Sequence, residues 1–134
     1  MPDEEIMPSV PRQLEFTRHD NFESWYANNI QFESSEWDLK MIFGELDLRG
    51  GKTVAQQHTA MTISWPQAKI LAYFLQVHLA IWEKINGKIM VPVSVWPQKP
   101  AAPPTELVEQ TPATQAAFQI IDKIYEEFIQ TLRA

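Results

Sequence analysis

The chain has 134 residues, 45% hydrophobic and 21% charged, which suits one ordinary domain with tails and leaves little room for a second core. It has no cysteine, which excludes disulfides and thiolate metal sites and fits a reducing compartment. Its net charge is −6 and it has no cluster of lysine or arginine to neutralise phosphates, so nucleic acid is not an expected partner.

The acidity is concentrated at the start. Residues 1–38 carry nine acids and two bases, a net of −7, against eight acids and nine bases in the remainder. Residues 1–20 hold Pro2, Pro8 and Pro11 among these charges and read as an acidic, largely flexible arm, with Arg12 to Phe16 as a candidate edge strand. No apolar run reaches signal-peptide or membrane-span length. The expected location is therefore the cytoplasm, with no membrane partner.

Residues 21–96 read as an α+β core domain. Asn21 to Ala27 should be an irregular lead-in or a short turn of helix that brings Phe22, Trp25 and Tyr26 against the core. From Asn28 to Ser35, Ile30 and Phe32 alternate with polar residues at the period of a half-buried strand. A turn at Ser34–Glu36 leads to Trp37–Arg49, where Leu39, Met41 and Phe43 share one parity and Leu46 and Leu48 the other. A phase slip at Gly44 predicts a β-bulge or sharp bend.

Gly50-Gly51 predicts a tight hairpin, because both residues accept positive φ. The strand that follows, Thr53–Ser64, should put Ala55, Thr59, Met61 and Ile63 on one face and Val54, Gln56, His58 and Thr62 on the other. It runs directly into a predicted helix over Ser64–Lys88, opened by Ser64 and Pro66 and closed by Asn86-Gly87. At about 100° per residue its polar stripe is narrow, so it needs covering on more than one side. Ile89–Val95 alternates apolar residues around Pro92 and is a candidate edge strand.

The architecture expected is an antiparallel β-meander of three to four strands covered by one long helix, plus a C-terminal helix after a proline-rich linker. The linker is placed at 97–110, within a stretch from Trp96 to Thr105 that has four prolines in ten residues. Residues 111–134 form an amphipathic helix with Phe118, Ile121, Tyr125, Phe128 and Leu132 at three-four spacing, widened by Ile120, Ile124 and Ile129. This stripe is the candidate interface, docking on its own chain or on a neighbour.

Tyr26-Ala27-Asn28, Trp37-Asp38-Leu39 with Phe43-Gly44-Glu45, Ser64 to Lys69, and Glu83 with Asn86-Gly87 together carry a family resemblance. Over Tyr26 to Ile89 the chain resembles a bacterial and archaeal family of short proteins, domain-of-unknown-function family 3467. The resemblance implies the strand-strand-strand-helix order and no activity, cofactor or functional residue. The acidic arm and the helix after Thr111 lie outside it.

His78 is the residue singled out for chemistry. It falls mid-way in the apolar arc with Phe74 and Trp82, where an imidazole must find partners for its nitrogens. One reading is a neutral histidine hydrogen-bonded in a core or subunit seam. The other is a small-ligand pocket or enzyme site built on His78, Trp82 and Phe74. The three histidines lack ligand spacing, and no nucleophile elbow, P-loop, zinc or dinucleotide motif is present, so no metal, cofactor or catalytic residue is expected. The preferred expectation is a non-enzymatic interaction or scaffolding module acting as a homo-oligomer, with a dimer favoured, and an unidentified protein partner as a further reading.

Overall fold

A computed structural model of the protein describes residues 13–101 and 112–133. The order is β1 (Asn29–Ser34), β2 (Asp38–Arg49), β3 (Lys52–Ser64), α1 (Trp65–Asn86), a single 3-10 turn at Val93–Val95, and α2 (Pro112–Arg133). The chain divides into two units, with the boundary between Ile70 and Leu71 inside α1. The expected first dozen residues of the arm, the linker beyond Ala101, and Thr111 and Ala134 at the ends of the expected C-terminal helix lie outside the described residues.

In the first unit the strands form an antiparallel meander in the order β1-β2-β3. Phe32 pairs with Met41, which pairs with Met61, and Ile30 pairs with Phe43, which pairs with Thr59. Opposite residues point to the same side of a sheet, so Ile30, Phe32, Leu39, Met41, Phe43 and Met61 share one apolar face. Met41 is the buried side chain of that face, at 9% exposure.

The bulge predicted at Gly44 exists, but the extra residue is on β3. Phe43 pairs with Thr59 and Gly44 with Gln57, which leaves His58 unmatched. One inserted residue reverses the parity of everything beyond it. Ala55 consequently pairs with Leu46, on the side opposite Thr59 and Met61, and not on their face as the alternation alone suggested. The hairpin at Gly50-Gly51 is as expected, with φ of 56° and 78° and Arg49 paired to Lys52.

The turn between β1 and β2 is held by Ser35. Its hydroxyl oxygen accepts the Trp37 and Asp38 N–H groups, each at 3.1 Å, and donates to Asp38 Oδ1 at 3.0 Å. Where β3 passes into α1, Ser64 Oγ accepts the Gln67 N–H at 3.3 Å and the Trp65 indole donates to the Ser35 carbonyl at 2.9 Å. The start of α1 is thus capped and tied to the β1–β2 turn.

Three expectations fail in irregular segments. Residues 13–16 form no strand. The lead-in at 21–27 is irregular, and Phe22, Trp25 and Tyr26 stand 57%, 58% and 69% exposed, not against a core. Ile89–Val95 adds no fourth strand. Pro92 cannot donate to a ladder, and its carbonyl instead accepts the Val95 N–H at 3.0 Å to start the 3-10 turn.

In the second unit α1 ends as its sequence predicts. Gly87, at φ 93°, donates its N–H to the Glu83 carbonyl at 2.9 Å, and the Glu83 carboxylate accepts the Ile89 N–H at 3.0 Å. The connecting segment then runs antiparallel to α2. Lys88 Nζ donates to the Leu132 carbonyl at 3.3 Å, and Lys99 pairs with Glu126 at 3.7 Å. The Trp96 indole donates to the Val91 carbonyl at 2.9 Å and folds this segment on itself. Ile129 of α2 is buried at 3%.

Candidate functional site

A connected set of side-chain contacts in the first unit surrounds the bulge. Gly44 is there for space. A Cβ at that position would lie 2.7 Å from the Gln56 carbonyl oxygen, which only the absence of a side chain allows. Pushed out of register, His58 reaches beyond β2 to the lead-in segment, where its Nε2 lies 2.8 Å from the Tyr26 carbonyl oxygen. Its Nδ1 lies 2.7 Å from Thr59 Oγ1.

These contacts define the ring's protonation pattern. A carbonyl can only accept, so Nε2 carries the proton, and in the neutral ring Nδ1 accepts from the Thr59 hydroxyl. The indole of Trp25 stacks on the imidazole with centroids 4.8 Å apart and planes 17° apart, while its Nε1 donates to Glu23 Oε2 at 3.0 Å. Asn28 closes the other side of the bulge. Its N–H donates to the Gly44 carbonyl at 3.1 Å and its Oδ1 accepts the Leu46 N–H at 2.7 Å, which satisfies β2 where β1 stops.

A shallow cleft of about 210 Å³ opens here, lined by Glu23, Trp25, Ala27, Phe43, His58 and Thr59. Its histidine already uses both ring nitrogens, so acting as a base or a metal ligand would require breaking one of these bonds. No group of three or more His, Cys, Asp or Glu converges on a metal-sized site among the described residues. Chemically the cluster is a joint that fastens the lead-in to the sheet.

His78 lies elsewhere. It is exposed on α1, with no hydrogen-bond partner among the described residues, so the single chain does not bury it in a core. Phe74 and Trp82, one turn away on either side, are 52% and 49% exposed, and the cleft at the bulge touches none of these three residues. Of the proposed interface stripe on α2, Phe118, Tyr125 and Leu132 are half-buried while Ile121 and Phe128 are exposed. Burial is centred on the Ile129 side of the stripe, so the rest of the apolar arc stays open.

The spacing around Gly44 announces a bulge but does not say which strand holds the extra residue. His58 therefore looks like an ordinary outward strand residue until the register is known. The residues carrying the family resemblance now have structural positions: Asn28 and Gly44 at the bulge, Asp38 in the Ser35 turn, Trp65 on the Ser35 carbonyl, Glu83 and Gly87 at the helix end. All are joints of the fold.

A family model described as "Protein of unknown function (DUF3467)" matches residues 3–91. The chain belongs to this family. The match is wider than Tyr26 to Ile89 and takes in the acidic arm, so the arm is part of the DUF3467 domain, while α2 lies beyond it. No curated protein and no solved structure matches the chain. No helix among the described residues is long and apolar enough to cross a membrane.

Proposed function

We propose that this DUF3467 protein is a non-enzymatic interaction or scaffolding module that works as a homo-oligomer, with a dimer as the simplest form. The observation behind this reading is apolar surface left open on regular elements. No residue of α1 is buried, and Ile70, Phe74, Leu75, Leu79, Ile81 and Trp82 are each about half exposed. On the apolar sheet face Ile30, Phe32 and Met61 are exposed at 49%, 59% and 55%.

At ~180 Å² for a large apolar side chain, the six on α1 leave roughly 550 Å² open and the three on the sheet roughly 300 Å². Monomeric proteins rarely expose contiguous apolar patches beyond a few hundred Å². A standard interface buries about 800 Å² per partner, so each of these surfaces taken by itself supplies a substantial part of one. The small-ligand reading at His78, Trp82 and Phe74 has no comparable observation in its favour.

Size-exclusion chromatography with light scattering on the full chain tests the proposal. The expected mass is an integer multiple, at least two, of 15.5 kDa. One chain's mass across micromolar concentrations overturns it.

A further inference from the structure

The sheet has two edges, and they differ. β1 is six residues long, contains Glu33 and follows the most acidic part of the chain. β3 is thirteen residues long, and apart from Lys52 at its start it has no Asp, Glu, Lys, Arg, Pro or Gly. Edge strands are normally guarded by such residues, because their free N–H and C=O groups template pairing with another strand. Among the described residues β3 pairs only with β2, and no other backbone group bonds its outer edge.

We propose that β3 is the seam between two copies of this chain, with Thr59–Ile63 of one pairing antiparallel with the same residues of the other to make a six-stranded sheet. The idea rests on the homo-oligomer reading above and names its surface. The occupant is a second copy on electrostatic grounds. A strand whose charges all have one sign brings like charges close when it pairs with its own copy, and Thr53–Ser64 carries no Asp, Glu, Lys or Arg to oppose that pairing. Self-pairing of β1 would instead bring two Glu33 carboxylates and two acidic arms together.

Symmetry narrows the register. Antiparallel strands related by a two-fold axis place the axis normal to the sheet, so opposite residues have equal parity and the axis passes midway between one residue and its twin. Both apolar faces then fall on the same side. The bulge at His58 bends β3, and the segment from Thr59 onward is the regular run that carries Met61 and Ile63 on the apolar face. Pairing there extends the face around Met41 without interruption into the second copy.

The absence of native cysteine makes a cross-linking test clean. Single variants Thr59→Cys, Ala60→Cys, Met61→Cys, Thr62→Cys and Ile63→Cys are oxidised in the full chain. The residue beside the axis meets its twin at a Cα separation of about 4.5–5.5 Å. One residue away, the strand rise adds ~6.6 Å along the strands, and the separation exceeds the ~7 Å limit for a disulfide. One position should therefore form dimer readily and its neighbours poorly, with controls Glu33→Cys on β1 and Ile124→Cys on α2 staying low.

A dimeric mass with no β3 peak, or with its peak at a control, overturns the seam and leaves the oligomer reading standing. A monomeric mass overturns both. Amide exchange on the unmodified protein gives a second readout: a paired β3 protects every amide from Thr59 to Ile63, whereas rapid exchange at alternate amides marks a free edge and overturns the seam.

Discussion

Replacing Gly44 with alanine is the sharpest test of the bulge. The new Cβ would sit 2.7 Å from the Gln56 oxygen and 3.0 Å from both the Gln56 carbonyl carbon and Gln57 Cα. Even a weak C–H···O contact prefers about 3.3–3.6 Å, so the overlap is ~0.6 Å or more. All three atoms belong to backbone held in the β2–β3 ladder and cannot swing away as a side-chain tip could. Overpacking of this kind costs about 1–3 kcal/mol, and the reduced freedom of the unfolded chain returns about 0.4–1 kcal/mol. The net expectation is a loss of ~1–2 kcal/mol, or a fall in Tm of roughly 4–8 °C for a chain of this size. Thermal unfolding is to be compared at matched protein concentration, since the Tm of an oligomer depends on it. Gly50 supplies the contrast. Nothing lies within 4 Å of its added Cβ, but its φ is +56°. Asparagine, which tolerates that region, should recover most of the loss of Gly50→Ala, whereas Gly44→Asn should be worse than Gly44→Ala. Equal or higher stability in Gly44→Ala would refute the steric account.

Removing the His58 ring should release the lead-in segment. His58→Ala is expected to lose ~1–2 kcal/mol, and a double-mutant cycle with Trp25→Ala should give a coupling of ~0.5–1.5 kcal/mol from the stacked pair, measured by denaturant unfolding. Additive single effects would contradict the stack. Trp65→Phe keeps the ring and removes the donor to the Ser35 carbonyl, for an expected loss of ~0.5–1.5 kcal/mol in the same assay. Lys99→Met should change stability by less than ~0.5 kcal/mol, because the Lys99–Glu126 pair has side chains 66% and 50% exposed and is screened by solvent. A loss above ~1.5 kcal/mol there would show that the pair is far better held than its exposure implies.

Much of the fold is written in short-range chemistry. The three strands, the Gly50-Gly51 hairpin, the Ser64 cap and the Asn86-Gly87 stop each depend on a few neighbouring residues, and period-two or three-four spacing identifies them without further context. Ile89–Val95 misled for the same reason: its alternation is real, but a strand needs a partner edge, and Pro92 started a turn instead. Phe22, Trp25 and Tyr26 are apolar enough for a core, yet the lead-in gives them no second layer to enter.

Local spacing of residues sets the order of elements, their ends, and the existence of an irregularity at Gly44. Which strand absorbs the extra residue depends on strand pairing, because a bulge is a property of two paired strands and their register, and one strand's pattern cannot reveal it. That register gives His58, and not His78, partners for both ring nitrogens among the described residues. An imidazole on an apolar helix stripe looks unusual in sequence and is exposed in the chain, whereas one on a polar strand face looks ordinary and becomes the bolt between Tyr26, Thr59 and Trp25 once the backbone pushes it across the sheet.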